Sequence, residues 1–456
     1  MLMLGFFAIA ITLGIGWGVR WYGLKTNQQW EISVKEYLIC SLVMCLLVTP
    51  LTLWGGRSLA ISNQVTFNEN WNGWETRAEW IKTTCTRDGI CRHCYDCDPY
   101  TVSVPYDCSY TDSDGKTVSK TCYRDETRYH SCPYASEEWY FGVKTTLGNY
   151  VIAGANVPTN PQNYRYRRWT PVPSWLESGI PDRWTEVKQR LDAGNPGPVT
   201  SRETYENYIL ASQTNIIRRY NDSVDTYLKA NLLPAIRSDI YNFYYLDRVY
   251  PVGVSLSGDW QSAINRFNAA LGTSLQGDLH LVVVDSNKVT NSDNYLGALM
   301  AYWQGDAFKK DALSKNGIVI VVGTKDGKTI EWARSATGMP VGNEHLMVQI
   351  QSDLKGAALD PKSLLGYPVA KVLSDDKVSV TTSDGLLEKI LWGQNKFSRV
   401  HMKPRDGDGG FAYLLYELEP TSGQKTAILF AVLFFGLIGW GICIMVGDNT
   451  RRFRFR

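Results

Sequence analysis

A chain of 456 residues, 44% hydrophobic and 20% charged, has room for two or three folded units with cores of their own; this composition excludes collagen, coiled coil and a wholly disordered polymer. Its 47 basic and 45 acidic residues leave a formal charge of +2, which gives no global electrostatic reason to expect nucleic acid as a partner.

Three uncharged stretches divide the chain: Met1 to Val19, Tyr37 to Gly56 and Thr426 to Gly447, of 19, 20 and 22 residues. At a helical rise of about 1.5 Å per residue each can cross a hydrocarbon core of roughly 30 Å, and helices in lipid tolerate glycines and a proline such as Pro50. The first stretch lacks both a positively charged leading segment and a clear small-residue cleavage site, so it is expected to stay as a span and not to be removed as a secretory signal. Ala10, Gly14 and Gly18 lie four apart on it, and small residues let helices approach closely, so they form a candidate packing face for a neighbouring span or another copy. None of the three stretches holds Asp, Glu, Lys, Arg or His, which argues against a proton relay or ion pump built by one copy.

Lysine and arginine near span ends resist translocation. Arg20, Lys25 and Lys35 flank the first loop, and Arg451, Arg452, Arg454 and Arg456 form the tail, so both segments are expected in the cytoplasm. The N-terminus and residues 57–425 then lie outside it, in a periplasmic, lumenal or extracellular space. Removing those seven basic residues with Glu31, Glu36 and Asp448 from the totals of 47 and 45 leaves 40 basic and 42 acidic residues outside, a balance that suits a solvated ectodomain.

From Val65 to Pro158 the chain is rich in Thr, Tyr, Trp and Val, with runs such as Tyr100 to Tyr106 and Trp139 to Ile152 that read as short strands, and with Asp112 to Gly115 as a hairpin connection. Seven of the ten cysteines fall here: Cys85, Cys91, Cys94, Cys97, Cys108, Cys122 and Cys132. In an exported β domain they read first as a disulfide framework, and since seven is odd one thiol is left over. Cys91, Cys94 and Cys97 are also spaced C-x-x-C-x-x-C, with His93 between them and His130 and Cys132-Pro133 downstream. That spacing keeps zinc as a second reading and an iron-sulfur cluster as a third. Both histidines are read as surface side chains.

Seven prolines between Pro158 and Pro198 predict an extended linker with one short helix near Arg183 to Leu191; within it, Tyr164 to Trp169 is a basic and aromatic run read as a solvated loop. Thr200 and Glu203 then form a capping-box signature, and Tyr205, Ile209, Ile216, Tyr220, Val224 and Leu228 continue an apolar stripe, so a long helix is expected before Pro234.

Beyond Pro251 the pattern changes. Trp260, Ile264, Phe267 and Leu271 mark a helix; Leu279 to Val284 a buried strand ending at Asp285; Leu296, Leu299, Met300 and Trp303 a second helix; and Ile318 to Val322 another strand. Lys325 to Lys328 turn the chain into Thr329 to Ser335, while Leu346 to Leu354 and Leu364 to Leu373 predict further helices over a mixed sheet. His280 is read as a strand residue. Arg405 to Gly410 offers two carboxylates without the remaining ligand positions of a calcium hand, and no P-loop, HExxH, GxSxG or full dinucleotide glycine signature occurs.

The segments DLHLVVVDS (Asp278 to Ser286), LGALMAYWQGDAF (Leu296 to Phe308) and KNGIVIVVGTKDGKTIEWARSATG (Lys315 to Gly338) resemble the TPM domain family over roughly Val254 to Gly393. The resemblance implies a three-layer α/β/α fold in a membrane-anchored envelope protein, with assembly, repair or accessory roles in membrane complexes; some members are described as calcium-binding or as acid phosphatases. It points to Asp285, Asp306, Asp311 and Asn316 as a candidate Ca2+ site, since open α/β sheets bind ligands at the carboxyl ends of their strands. Lys309, Lys310 and Lys315 interleave with those acids and dilute the site.

The expected organisation is therefore a span over 1–24, an inner loop over 25–36, a span over 37–56, a cysteine-rich β domain over 57–158, a proline-rich linker and long helix over 159–250, a TPM-like α/β/α sandwich over 251–396, a juxtamembrane segment over 397–425, a span over 426–447 and a basic tail over 448–456. The function this supports is a structural or interaction protein of the membrane, whose partners are lipid and either its own copies or other membrane proteins. A metal-assisted phosphatase using Asp285 and Asp306 is the alternative.

Overall fold

The computed structural model describes residues 2–26, 32–89, 91, 94–111, 117–134, 136–151, 182–212, 221–236, 248–308, 313–339, 341–402 and 410–454. In chain order, α1 (Leu2–Thr26) is followed by α2 (Val34–Val43), a π-helical turn (Met44–Val48) and α3 (Thr49–Val65), which run as one continuous helix straight into β1 (Thr66–Thr84). Next come β2 (Cys94–Thr111), β3 (Thr117–Pro133), β4 (Glu137–Thr145), β5 (Gly148–Val151), α4 (Asp182–Asp192), β6 (Pro198–Glu206), α5 (Tyr208–Ala211) and α6 (Asn221–Lys229). The α/β unit comprises β7 (Val249–Val252), α7 (Trp260–Leu275), β8 (Asp278–Asp285), α8 (Ser292–Trp303), β9 (Gly317–Thr324), β10 (Trp332–Thr337), α9 (Glu344–Asp353), α10 (Pro361–Leu365), β11 (Val369–Val372), β12 (Val378–Thr381) and α11 (Leu386–Leu391). A short 3-10 turn (Ala412–Tyr416) precedes α12 (Ser422–Arg454).

Three helices are long and apolar enough to cross a membrane, over Met3–Thr26, Val34–Val65 and Ser422–Val446. Pro50 has no N–H for the helix ladder, and the π turn just before it supplies the slack: Thr49 N–H reaches back to the Met44 carbonyl. Leu4, Ala60 and Ile428 cluster at one end of the bundle, while Ile32, Met44 and Trp440 cluster at the other. The N-terminus therefore lies at the same end as the folded body. Ile61 and Val65 pack there on Tyr208, Met339, Met402 and Leu418, so the body sits directly on the bundle.

Within the chain, α1 packs through a face other than Ala10, Gly14 and Gly18. Leu4, Ala8, Thr12, Gly16 and Gly23 are the buried residues among those described, with Thr12 Oγ1 2.9 Å from Thr49 Oγ1 and a Trp440 ring seated on Gly16. Ala10 and Gly14 are exposed, and a Cβ added at Gly14 or Gly18 would meet nothing within 4 Å. A four-residue spacing of small side chains marks where close approach is possible. It was the bulk of Trp440, needing a glycine opposite, that chose the neighbouring stripe.

Two four-stranded sheets and the β11–β12 pair form the body among the described residues. The first, ordered β5-β4-β1-β6, is antiparallel throughout. The second, ordered β10-β9-β8-β7, has β7, β8 and β9 parallel and β10 antiparallel. Its strands are buried on both faces: Leu279, Leu281, Val283, Ile318, Ile320 and Val322 face α7, α9, α10 and α11, whereas Val282, Val284, Val319 and Val321 face α6 and α8. Helices thus cover a mixed sheet on both sides, as the uninterrupted apolar runs require.

Three local expectations are corrected. The expected helix does not begin at Thr200: residues 198–206 are β6, paired with β1 from Thr66 opposite Glu206 to Trp74 opposite Pro198, and of the stripe that follows Val224 and Leu228 lie on α6. Val199, Thr200 and Thr204 favour extended backbone, and the capping-box side chains are used otherwise, with Thr200 Oγ1 donating to Asn72 and Glu203 accepting from Ser201. Helix begins only at Asn207, whose side chain accepts from Leu210 N–H. Leu364 to Leu373 likewise splits, because Gly366 at φ 69° ends α10 and Pro368 with two valines starts β11. Finally, α3 carries helix through Arg57 to Val65, past the expected end of the span.

The short helix near Arg183 to Leu191 is present as α4. The Asp112–Gly115 connection, the Tyr164–Trp169 run, His93, Asp311 and most of 405–410 lie outside the described residues.

Candidate functional site

β1 organises the body through three buried polar side chains. Glu69 accepts a bidentate pair from Arg399 at 3.1 and 2.7 Å and a bond from Trp71 Nε1 at 3.0 Å. Glu75 accepts from Arg190 at 2.8 Å and from Gly197 N–H at 3.0 Å. Asn72 donates to Asp278 at 3.0 Å, which ties this sheet to the amino edge of the α/β sheet. α7 lies so close to β1 that a Cβ on Gly272 would fall 2.3 Å from the Asn72 carbonyl oxygen.

Asp278 is the centre of a polar group that the sequence reading did not assemble. Arg248 lies 3.2 Å from its carboxylate, His280 Nε2 also 3.2 Å, and Tyr250 Oη is 3.3 Å from His280 Nδ1. All four residues are buried. Burial opposes ionisation of Asp278, yet the Arg248 guanidinium, His280 and the Asn72 amide hold it well below the usual carboxylate range. Burial, reinforced by the Arg248 charge, pushes the His280 pKa down. Arg248, His280 and Asn72 all meet Asp278 within the fold, so this arrangement joins two sheets. The signal was present in the sequence, since Asp278 and His280 are the alternate, same-facing positions of an otherwise apolar strand.

Of the residues nominated for calcium, Asp285 and Asn316 lie at opposite edges of the sheet. Asp285 closes β8 at the carboxyl edge, where its Oδ1 accepts from Asn287 N–H at 2.9 Å and Asn287 Nδ2 at 3.1 Å. Asn316 precedes β9 at the amino edge and donates to the carbonyls of Asn70 and Gln276, each at 3.0 Å. Since Asp278 pairs with Gly317 and Asp285 with Thr324 in parallel register, the two edges are roughly 23 Å apart along the strands. Asp306 opens a 3-10 turn over Asp306–Phe308, with its side chain outside the described residues. Asp326, on the carboxyl edge, is held down to about 2 by the backbone N–H groups of Lys328 and Thr329 and is likewise engaged with its own loop.

The cysteines brace a ribbon with exposed rings. Cys85–Cys91, Cys97–Cys132 and Cys108–Cys122 are bridged, and Cys94 keeps its thiol. Cys97, Asp98 and Cys132 offer metal-donor atoms within 4.8 Å of one another, but two of the three are joined as a disulfide and a bridged sulfur is not the thiolate zinc binds. Cys97–Cys132 and Cys108–Cys122 hold β2 and β3 together as a two-stranded ribbon inserted between β1 and β4, and Cys85–Cys91 closes the loop that leads into it. At about 3.3 Å per residue its 18-residue strand extends roughly 55 Å. Tyr100, Tyr106, Tyr123 and Tyr129 are exposed along it. Cross-strand pairing places Tyr100, Val102, Val104 and Tyr106 on one face with Arg128, Glu126, Arg124 and Cys122. A lone two-stranded hairpin is marginal in water, so the staples compensate for packing that the ribbon lacks among the described residues.

No family model, curated protein or solved structure matches the chain.

Proposed function

We propose that the chain is a membrane-anchored, extracytoplasmic interaction protein that self-associates or supports the assembly or maintenance of a membrane complex. The observation that carries this reading is the disulfide-stapled ribbon: rings exposed in sequence along both strands, displayed by a body that packs directly on the bundle through Ile61, Val65, Met402 and Leu418. An element that is costly to hold rigid and has both faces in solvent is suited to meeting another surface.

The extracytoplasmic placement is supported by two independent features. Three bridged cysteine pairs suit an oxidising compartment, and the basic residues of the first loop and tail lie at the bundle end away from the body. A TPM-type α/β/α domain remains part of the proposal, supported by the mixed sheet with helices on both faces and by the three segments quoted above. Of the two acids of the phosphatase alternative, Asp285 is engaged in its own turn.

The test is native mass spectrometry of the full chain released from its membranes, together with crosslinking before release. The reading expects oligomers or a reproducible heteromeric complex. A lone monomer that captures nothing under both conditions overturns it.

A further inference from the structure

We propose that the ribbon is completed by a second copy of this chain: the outer edges of two β3 strands pair antiparallel about Thr127, giving a four-stranded sheet ordered β2-β3-β3-β2 across a two-fold axis. This rests on the self-association reading and names its surface.

The two edges of the ribbon are built differently. Pro105 has no N–H, so it occupies a position facing away from β3, and with Pro99 it interrupts any new ladder on the β2 side. β2 also carries Asp96, Asp98 and Asp107 and no Lys or Arg. Prolines and unbalanced charge are how natural sheets keep an edge from pairing. β3 has no proline before Pro133 and mixes Lys120, Arg124 and Arg128 with Asp125 and Glu126. One edge is guarded and the other is open.

The alternation of an antiparallel ladder identifies the groups on offer. Tyr123 stands opposite Pro105, so it too presents its backbone outward, and with it Asp125, Thr127, Tyr129 and Ser131. Ser131 supplies an internal check: its N–H donates to Asp88 Oδ1 and its carbonyl accepts from Asp88 N–H, both at 2.8 Å. The loop before β2 thus already pairs with this edge at the root and fixes where an incoming strand must stop. Among the described residues no hydrogen bond of the chain itself reaches the backbone edge from Tyr123 to Tyr129.

Charge selects the register. An axis at Thr127 sets each Arg128 opposite Glu126 of the second copy, and Asp125 opposite Tyr129. An axis at Asp125 opposes two aspartates, one at Glu126 opposes two glutamates and sets Arg124 against Arg128, and one at Arg128 opposes two arginines. Like charges directly opposite destabilise a sheet, so within the charged run from Asp125 to Arg128 only the Thr127 axis avoids the conflict. A contact this short is weak between free molecules. Spans confine both copies to one bilayer, and that confinement raises the effective concentration of one edge for the other.

The test uses the full chain in its membranes on a Cys94→Ser background, with single cysteines introduced at the same height on the two edges, since Thr101 stands opposite Thr127. Mild oxidation is expected to link Thr127→Cys copies into dimers and to leave Thr101→Cys copies apart. Glu126→Arg or Arg128→Glu alone lowers the Thr127→Cys dimer yield roughly fivefold, and the two together restore it. Equal crosslinking at both positions, or none at Thr127→Cys while native mass still shows oligomers, overturns the ribbon pairing and leaves self-association standing. Monomers under every condition overturn both.

Discussion

The sharpest prediction concerns two glycines two residues apart on α1. A Cβ on Gly16 would lie 2.1 Å from Cζ2 of Trp440, whereas one on Gly14 would meet nothing within 4 Å. Trp440 cannot step aside, because it is fully buried, donates its Nε1 to the Thr12 carbonyl at 3.0 Å and stacks on Tyr37 at 5.6 Å. Gly16→Ala therefore overpacks the bundle, at a cost of about 1–3 kcal/mol. Gly14→Ala carries the same change in helix propensity without the clash, so the difference between the two isolates the contact. Cys443 packs in the same cluster as Trp440, and its reaction with a permeant maleimide, in a chain whose other free thiols are replaced by serine, reports bundle opening. With a tenfold change for every 1.4 kcal/mol, Gly16→Ala should react roughly 5- to 100-fold faster than Gly14→Ala. Trp440→Leu should relieve the effect of Gly16→Ala, a non-additivity expected of residues in contact. Equal rates for the two alanine variants would refute the assigned packing face.

Arg399→Ala strands Glu69 as a buried unpaired carboxylate and should destabilise the body by about 3–5 kcal/mol, read as a lower thermal midpoint. Replacing Cys108 and Cys122, 14 residues apart, should cost about 3 kcal/mol, and replacing Cys97 and Cys132, 35 apart, nearer 4 kcal/mol, with hydrogen exchange in β2 and β3 as the readout. His280, held neutral by burial with its pKa below the usual value of about 6.5, leaves the unfolded chain binding more protons at mildly acid pH. Its stabilising contribution is complete above about pH 6.5 and shrinks as pH falls below that, so denaturant midpoints should drop from pH 7 towards 5 and His280→Asn should flatten the slope. The Asp278 contribution is present above about pH 3.9 and lost only in stronger acid, which separates the two.

What the sequence made legible follows from how local each signal is. Apolar runs such as Leu279 to Val284 and Ile318 to Val322 declare buried strands because their own composition leaves no solvated face, and the three spans are equally self-contained. β6 was misread because Thr200 and Glu203 carry a helix-start signature that is overridden by a β1 partner some 130 residues earlier in the chain. β7 was missed altogether, since Val249 to Val252 is too short to show a period and is defined by its pairing with Leu281 to Val284. The odd cysteine was predictable by parity, but its identity as Cys94 depended on the ribbon register. Asp285 and Asn316 looked like neighbours because both flank strands; the parallel register places them at opposite ends.

The account depends on the cysteine-rich body lying in an oxidising space outside the cytoplasm while the bundle shields its own thiols. A membrane-impermeant polyethylene glycol maleimide added to sealed, right-side-out cells or vesicles tests this in one gel. The prediction is a single adduct, at Cys94, without reductant, and seven after an impermeant reductant opens the three bridges. No adduct in either case until the membrane is permeabilised would place the body in the cytoplasm and contradict the account.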